Sequence, residues 1–271
     1  MSHSSIFEDG RTVLAEVINL SLTFQVARYG GATVRDRFVE AVRGPKHEGS
    51  ALEELCVLNN ISFNINEGDR IGILGVNGAG KTTLCRCLAG TYNPTRGAVR
   101  RHGRVRGVFD TAIGIYPNLT GRENARLLMH FLYPECVDQH AELVEEALEF
   151  SELGKFLDYP YRTYSNGMQA RLCLSLISCR PSDLLILDEV FDGADRFFRE
   201  KISRRILSII EKSGAVVFVS HSAEQIFNVC NRVLLLEHGE ILFDGDVGEA
   251  LYLYSHSKPR ETDAETGLDL S

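Results

Sequence analysis

Residues 75–82 read Gly75-Val76-Asn77-Gly78-Ala79-Gly80-Lys81-Thr82, with Thr83 next in line. The spacing fits G-x-x-x-x-G-K-[ST], the phosphate-binding loop. Glycines at 75, 78 and 80 permit backbone conformations that a Cβ would penalise, and they let the main chain approach a ligand closely. Successive amide N–H groups then surround phosphate oxygens at the start of a helix, where the helix dipole favours anions. Lys81 is placed to reach β- and γ-phosphates, the Thr82 hydroxyl to bind Mg²⁺, and Thr83 to add a second hydroxyl on phosphate. The apolar run 71–74 before the loop and the helical pattern 84–89 after it supply the strand and helix that this chemistry needs.

Three further stretches carry compatible chemistry. Residues 184–189, LLILDE, read as a buried strand ending in two carboxylates. An Asp at this point holds Mg²⁺, usually through water, which assigns that task to Asp188. Glu189 beside it is a candidate general base for the attacking water. Residues 217–221, VFVSH, read as another strand, ending in His221. Beside a phosphate site that histidine contacts the γ-phosphate and orients water; on its own it would be an ordinary surface residue at a strand end. Residues 164–169 read Tyr164-Ser165-Asn166-Gly167-Met168-Gln169. Ser165 is an expected N-cap, and the amides around Gly167 form a second helix start able to face an anion.

The elements that must position these residues follow from the patterning. Residues 12–26 read as one or two strands, and 55–65 as a strand with the alternation Ile61, Phe63, Ile65. Between them, residues 28–50 read as an insertion, with Val34 and Phe38 on one face of a short amphipathic helix. It is either a solvated surface loop or an interaction element. Residues 98–109, with Arg100, Arg101, Arg104 and Arg106, read as an edge hairpin with solvated arginines. Helices are expected over 121–133, 138–150 and 164–179. The strands 184–187 and 215–219 with a helix over 197–212 between them imply a parallel sheet covered by helices. Residues 233–237 and 240–243 read as a closing hairpin, and 258–271 as a polar, acidic tail expected to fray.

The 271 residues are 44% hydrophobic and 24% charged, the balance of a globular protein. A formal net charge of −8 argues against nucleic acid as a partner. The seven cysteines form no paired C-x-x-C set, so reduced thiols are expected rather than disulfides or zinc. No secretory signal is expected from the polar N-terminus, and no apolar run approaches the about 18 residues of a membrane span.

Taken in this order and spacing, GVNGAGKT, YSNGMQ, LLILDE and VSH resemble the ATP-binding cassette of ABC proteins, over nearly the whole chain. The resemblance implies an α/β fold with a P-loop, RecA-like core, an antiparallel β-subdomain and an α-helical subdomain. It sets the cassette at residues 12–256, with the insertion at 28–52, the helical subdomain at 117–180 and the tail at 257–271. It implies ATP and Mg²⁺ as ligands and a head-to-tail dimer of two copies. Each ATP then lies between the loop around Gly75, Val76, Asn77, Gly78, Ala79, Gly80, Lys81, Thr82 and Thr83 of one copy and the signature Ser165, Asn166, Gly167, Met168 and Gln169 of the other. His221 matches the switch histidine, Phe24 the aromatic that stacks on adenine, and Asp195 the aspartate of the dimer-contacting loop. The run Asp192-Gly193-Ala194-Asp195 departs from that loop's common small-residue form.

The residues Leu119-Thr120-Gly121-Arg122-Glu123-Asn124 and Asp188-Glu189-Val190 narrow the resemblance. They are similar to the ATPase subunits of bacterial exporters for capsular polysaccharide, O-antigen and teichoic acid. This implies a permease subunit as partner, a lipid-linked glycan as cargo through that permease, and a cytoplasmic place on the inner face of the cell membrane. An ABC ATPase for a drug, lipid or peptide is the alternative, and a soluble ABC protein without transport is a third reading. Asn166 is a small departure from this group's signature. Tyr116 stands where many ABC proteins place a glutamine, and a tyrosine cannot mimic the amide's paired donor and acceptor. Metal contact from that loop is therefore not expected, while its coupling role is. The chain stops at Ser271, shortly past the cassette, so the C-terminal glycan-binding β-sandwich of some such ATPases is expected to be absent.

Overall fold

Strands β4 (Arg70–Leu74), β7 (Leu184–Asp188) and β8 (Ala215–Val219) are apolar and buried almost end to end, as strands covered on both faces must be. They belong to a computed structural model that describes residues 7–8, 10–27, 52–109, 114–188, 196–220 and 222–257. The 28–52 insertion (apart from Leu52), Glu189, Asp195, His221 and the tail beyond residue 257 lie outside the described residues.

Among the described residues a six-stranded sheet runs β10-β9-β4-β8-β7-β6, with β6 at Val105–Val108, β9 at Arg232–Glu237 and β10 at Glu240–Gly245. It is parallel except at the β9–β10 edge, which is the closing hairpin that the sequence predicts. A second sheet pairs β2 (Arg11–Ala27) with β1 (Phe7–Glu8), β3 (Leu52–Asn66) and β5 (Arg96–Arg101), all antiparallel. Residues 12–26, read as one or two strands, form the single strand β2.

Alternation sorts the six-stranded sheet's side chains into two cores. Ile71, Ile73, Leu184, Ile186, Val217 and Val219 face Leu84 and Leu88 of α1 (Lys81–Ala89) and the inner face of β2–β3. Leu185, Leu187, Val216 and Phe218 face the other way, onto Phe198, Ile202, Ile206 and Ile209 of α5 (Arg196–Lys212). Helices α6 (Ala223–Val229) and α7 (Val247–Ser257), which the sequence reading did not anticipate, close this second core through Ile226, Val247 and Ala250. Their brevity and mixed patterning left little periodic signal.

A third core belongs to α2 (Gly121–Leu132), α3 (His140–Ser151) and α4 (Asn166–Ile177). Helix α4 serves two cores. Ala170 and Leu174 point to the sheet, while Leu172 and Leu176, about 200° around the helix, point into the helical cluster.

The basic stretch is not the solvated edge hairpin that its charge suggests. Strands β5 and β6 belong to different sheets, and Arg106 on β6 is only 6% exposed. Its guanidinium donates to the carbonyl oxygens of Leu132 (3.1 Å) and Arg180 (2.8 Å) and to Glu135 (3.1 Å), and lies 4.0 Å from the Tyr133 ring centroid. The Tyr133 hydroxyl in turn donates toward the Leu176 and Ile177 carbonyls. The ends of α2 and α4 are thereby bound to the sheet. Arg101 donates to the Leu88 and Cys87 carbonyls, both at 2.6 Å, and so caps the C-terminal end of α1. At Leu88 and Leu132 these arginines answer carbonyls at helix ends, a demand invisible in composition.

Candidate active site

The loop after β4 lies hard against its neighbours. A Cβ on Gly75 would sit 2.2 Å from the Leu236 carbonyl oxygen of β9, and one on Gly80 would sit 2.8 Å from Leu58 Cδ2 of β3. Gly80 also has φ 104°, a left-handed value that an L side chain resists. These contacts fix where the loop runs; Val76, Asn77 and Gly78 form its exposed apex, while Ala79 and Gly80 are buried.

Gly80 is the N-cap of α1, and it has no side chain to take the first amides. The Leu84 N–H donates to the Gly80 carbonyl at 2.8 Å, so the amides ahead of Leu84 have no acceptor inside the helix. Thr82 and Thr83 are half-buried on this first turn. Lys81 is 8% exposed, and its ammonium donates to the carbonyls of Gly75 (2.9 Å) and Val76 (3.1 Å). A buried cation, a helix start and two half-buried hydroxyls belong to one loop, a donor set that fits a polyphosphate.

Parallel pairing brings the other motifs to the same edge. β8 lies between β4 and β7, so the ends Leu74, Val219 and Asp188 share the C-terminal edge of the sheet, with β4 and β7 about 10 Å apart. Asp188 is 6% exposed and opposite Val219 in register. Asp188 and Lys81 both act on the buried Cys85 thiol. Burial raises its pKa well above the usual value, the charge of Asp188 raises it further, and Lys81 lowers it. The carboxylate and the ammonium therefore both act electrostatically on one residue of α1. A hydroxyl at Thr82 and a carboxylate at Asp188 are hard oxygen ligands of the kind that Mg²⁺ takes.

Glu189 and His221 follow Asp188 and Ser220 directly in sequence. Ser220 donates to Gln225 Oε1 at 2.7 Å and accepts the Ser222 N–H at 3.0 Å, which pins the exit of β8. The sequence reading missed this Ser220–Gln225 contact, for which a Ser and a Gln five apart give no distinctive signal.

The signature residues open α4. Ser165, with φ −67° and ψ 160°, caps α4 by accepting the Met168 N–H at 3.3 Å, as its type predicts. Gln169 donates through its backbone to the Ser165 carbonyl and through its side chain to the Tyr164 carbonyl. Residues 165–169 thus form the start of α4. Phe24 lies on β2, 37% exposed, with its ring edge-to-face on Tyr92 at 5.8 Å.

Tyr116 is 57% exposed, and its backbone is held on both sides by Asn124, which is fully buried. Asn124 accepts the Tyr116 N–H at 2.8 Å and donates to the Tyr116, Leu119 and Thr120 carbonyls. Thr120 and Glu123 form a capping box just before it. Thr-x-x-Glu is the signal that could have located this clamp. At the opposite edge of the sheet a polar cleft of about 500 Å³ is lined by Arg70, Arg104, Asp183 and Lys212. Arg104 is already paired with Asp183 at 3.3 Å, and Arg70 donates to the carbonyls of Asp69, Ser213 and Gly214, so this cleft is no rival as a phosphate site.

Residues 58–192 match the model of the ABC transporter family. The chain is 38% identical to the O-antigen export system ATP-binding protein RfbE of Yersinia enterocolitica, over 82% of this chain and 94% of that protein. It is 33% identical to the O-antigen export system ATP-binding protein RfbB of Klebsiella pneumoniae, over 88% and 96%. It is also 33% identical to the teichoic acids export ATP-binding protein TagH of Listeria innocua, over 75% of this chain and 60% of that protein. In fold it is similar to the dimeric structure of a post-hydrolysis state of the ATP-binding cassette MJ0796 bound to ADP and Pi, with a TM-score of 0.65 at 21% identity, over 86% and 99%.

Proposed function

This chain belongs to the ABC transporter family, and we propose that it is the ATP-hydrolysing subunit of an exporter that moves a lipid-linked polysaccharide across the inner membrane through a separate permease. The observation that carries the reading is the shared sheet edge where Lys81, the uncapped start of α1 and Asp188 meet. The export functions named for its relatives support a cargo of the O-antigen or capsule type.

In this reading the cassette spans residues 12–256, with 117–180 as its helical subdomain. The loop amides and Lys81 hold the phosphates of ATP, Phe24 receives the base, and Thr82 and Asp188 hold Mg²⁺. Bound there, the metal neutralises charge on the β- and γ-phosphates. Glu189 takes a proton from the attacking water as its oxygen bonds to the γ-phosphorus, the bond from that phosphorus to the β–γ bridging oxygen breaks with ADP as the leaving group, and His221 contacts the γ-phosphate. Residues 165–169 of a second copy complete each site. Among the described residues no helix is long and apolar enough to cross a membrane, which supports a peripheral place beside a permease. The loop at Tyr116, held by Asn124, and the helical subdomain face that permease.

The test is genetic. A strain lacking the gene, or carrying only Glu189→Gln, is expected to accumulate lipid-linked glycan inside the cell. Normal surface polysaccharide in either strain, with no second ATPase present, rejects the reading.

A further inference from the structure

Phosphates and base are received by different parts of this chain. The P-loop opens α1, whereas Phe24 lies on β2 in the other sheet. A useful site needs the two held at a fixed separation, and residues 90–95 connect them.

Helix α1 ends at Gly90, where the Thr91 and Tyr92 N–H groups both donate to the Arg86 carbonyl, at 2.9 and 3.2 Å. The Arg86 side chain returns to the same turn. Its guanidinium donates to the Tyr92 hydroxyl at 2.8 Å and lies 5.5 Å from the ring centroid. Three residues on, the Thr95 N–H donates to the Ser21 carbonyl at 2.8 Å, and the Thr23 N–H donates to Thr95 Oγ1 at 3.0 Å. The turn is therefore laced to β2 immediately before Phe24. The ring of Tyr92, half-buried against the first core, meets the ring of Phe24 edge-to-face at 78°. Such a contact fixes one ring against another without covering both faces of each. Phe24 stays exposed enough to accept a planar base.

We propose that Tyr92 is a positioning residue for nucleotide recognition. Held by Arg86 of the phosphate-binding helix, it sets the ring of Phe24, so that base and triphosphate are gripped by one connected unit. The inference rests on the reading of Phe24 as the base platform. It predicts that Tyr92 matters for ligands that carry a base and not for the phosphate chain alone.

The test is equilibrium titration of the full chain with ATP and, separately, with inorganic tripolyphosphate. Tyr92→Leu is expected to weaken ATP about fivefold, the scale of one lost aromatic pair, and to leave tripolyphosphate binding unchanged. Tyr92→Phe keeps the ring but loses the hydroxyl contact to Arg86, and is expected to weaken ATP less than Tyr92→Leu does while leaving tripolyphosphate binding unchanged. Phe24→Ala is expected to weaken ATP as well, and the double variant to lose little more than Phe24→Ala alone, because both act through one ring. If Tyr92→Leu weakens both ligands equally, Tyr92 supports the fold and not the base, and the proposal fails. It fails too if Phe24→Ala weakens ATP while Tyr92→Leu does not. If Phe24→Ala leaves ATP binding untouched, the platform reading itself falls and takes the proposal with it. Should Tyr92→Leu not fold, Arg86→Gln removes the hydroxyl contact and carries the same two-ligand comparison: a selective loss for ATP supports the proposal, and an equal or absent effect overturns it.

Discussion

Two helix starts in this chain offer backbone amides to an anion, and they are built differently. At α1 the cap is Gly80, no side chain takes the amides, and a buried lysine lies within the loop. At α4 the cap is Ser165, its hydroxyl takes the Met168 N–H, and residues 165–169 contain no cation. The first start rests on buried strand and glycine contacts at the sheet edge; the second is exposed at Ser165 and Asn166. The difference teaches how the labour is divided. The α1 start is organised to hold a polyphosphate with its own residues, whereas the α4 start is satisfied by its own hydroxyl and offers neutral donors only. In the proposed dimer the second would then close on a nucleotide already held by the first.

The most severe break in this contrast targets each start separately. Lys81→Ala removes the cation, and Gly167→Asp puts a carboxylate where a phosphate would lie. An acidic residue in a first helical turn suits the dipole, so Gly167→Asp should still fold. Each variant is expected to lose phosphate release on the order of a hundredfold or more. Mixing the two is expected to recover activity, because the mixed dimer contains one site with an intact loop and an intact signature. If both variants fold and dimerise and the mixture stays inactive, the division into half-sites is wrong.

A smaller effect is expected at the joint between the two regions. Arg106→Met leaves Glu135 and three carbonyls without their buried partner, at a cost of about 3–5 kcal/mol in a urea titration. None of these partners of Arg106 belongs to residues 75–83, so ATP binding by the folded chain should hold while hydrolysis falls, since residues 165–169 ride on α4. Equal loss of both would mean that the phosphate loop depends on this joint. The smallest effect is expected at Ser165→Ala, about 1 kcal/mol of thermal stability with ATP binding by the single chain unchanged. A variant as stable as the parent would show that the hydroxyl cap contributes nothing, and the contrast between capped and uncapped starts would lose its basis.

Much of this was legible beforehand because it is local. The P-loop glycines, the buried run of β7, the cap at Ser165 and the apolar faces of α2 to α4 each follow from neighbours within a few residues. What was less legible depends on which groups the fold buries together. Arg101 and Arg106 read as solvated because charge predicts exposure, yet each answers helix carbonyls that only the folded chain presents. Asn124 reads as one more polar residue on a helix, but it is fully buried as the clamp on the Tyr116 backbone. Tyr92 carries no motif, and its contact joins the turn after α1 to β2, far from it in sequence.

The stretch from Gly75 to Thr83 was thus determined by sequence alone, as an anion-binding turn with a lysine in it. The geometry of glycine and the demand of a helix start for acceptors require no more than those residues. Only the tertiary structure decided what stands beside it. Parallel pairing set β8 between β4 and β7 and so delivered Asp188 to the edge where Lys81 waits, more than a hundred residues earlier in the chain. The same packing set α4 between two cores, with Ala170 and Leu174 buried on one side and Leu172 and Leu176 on the other.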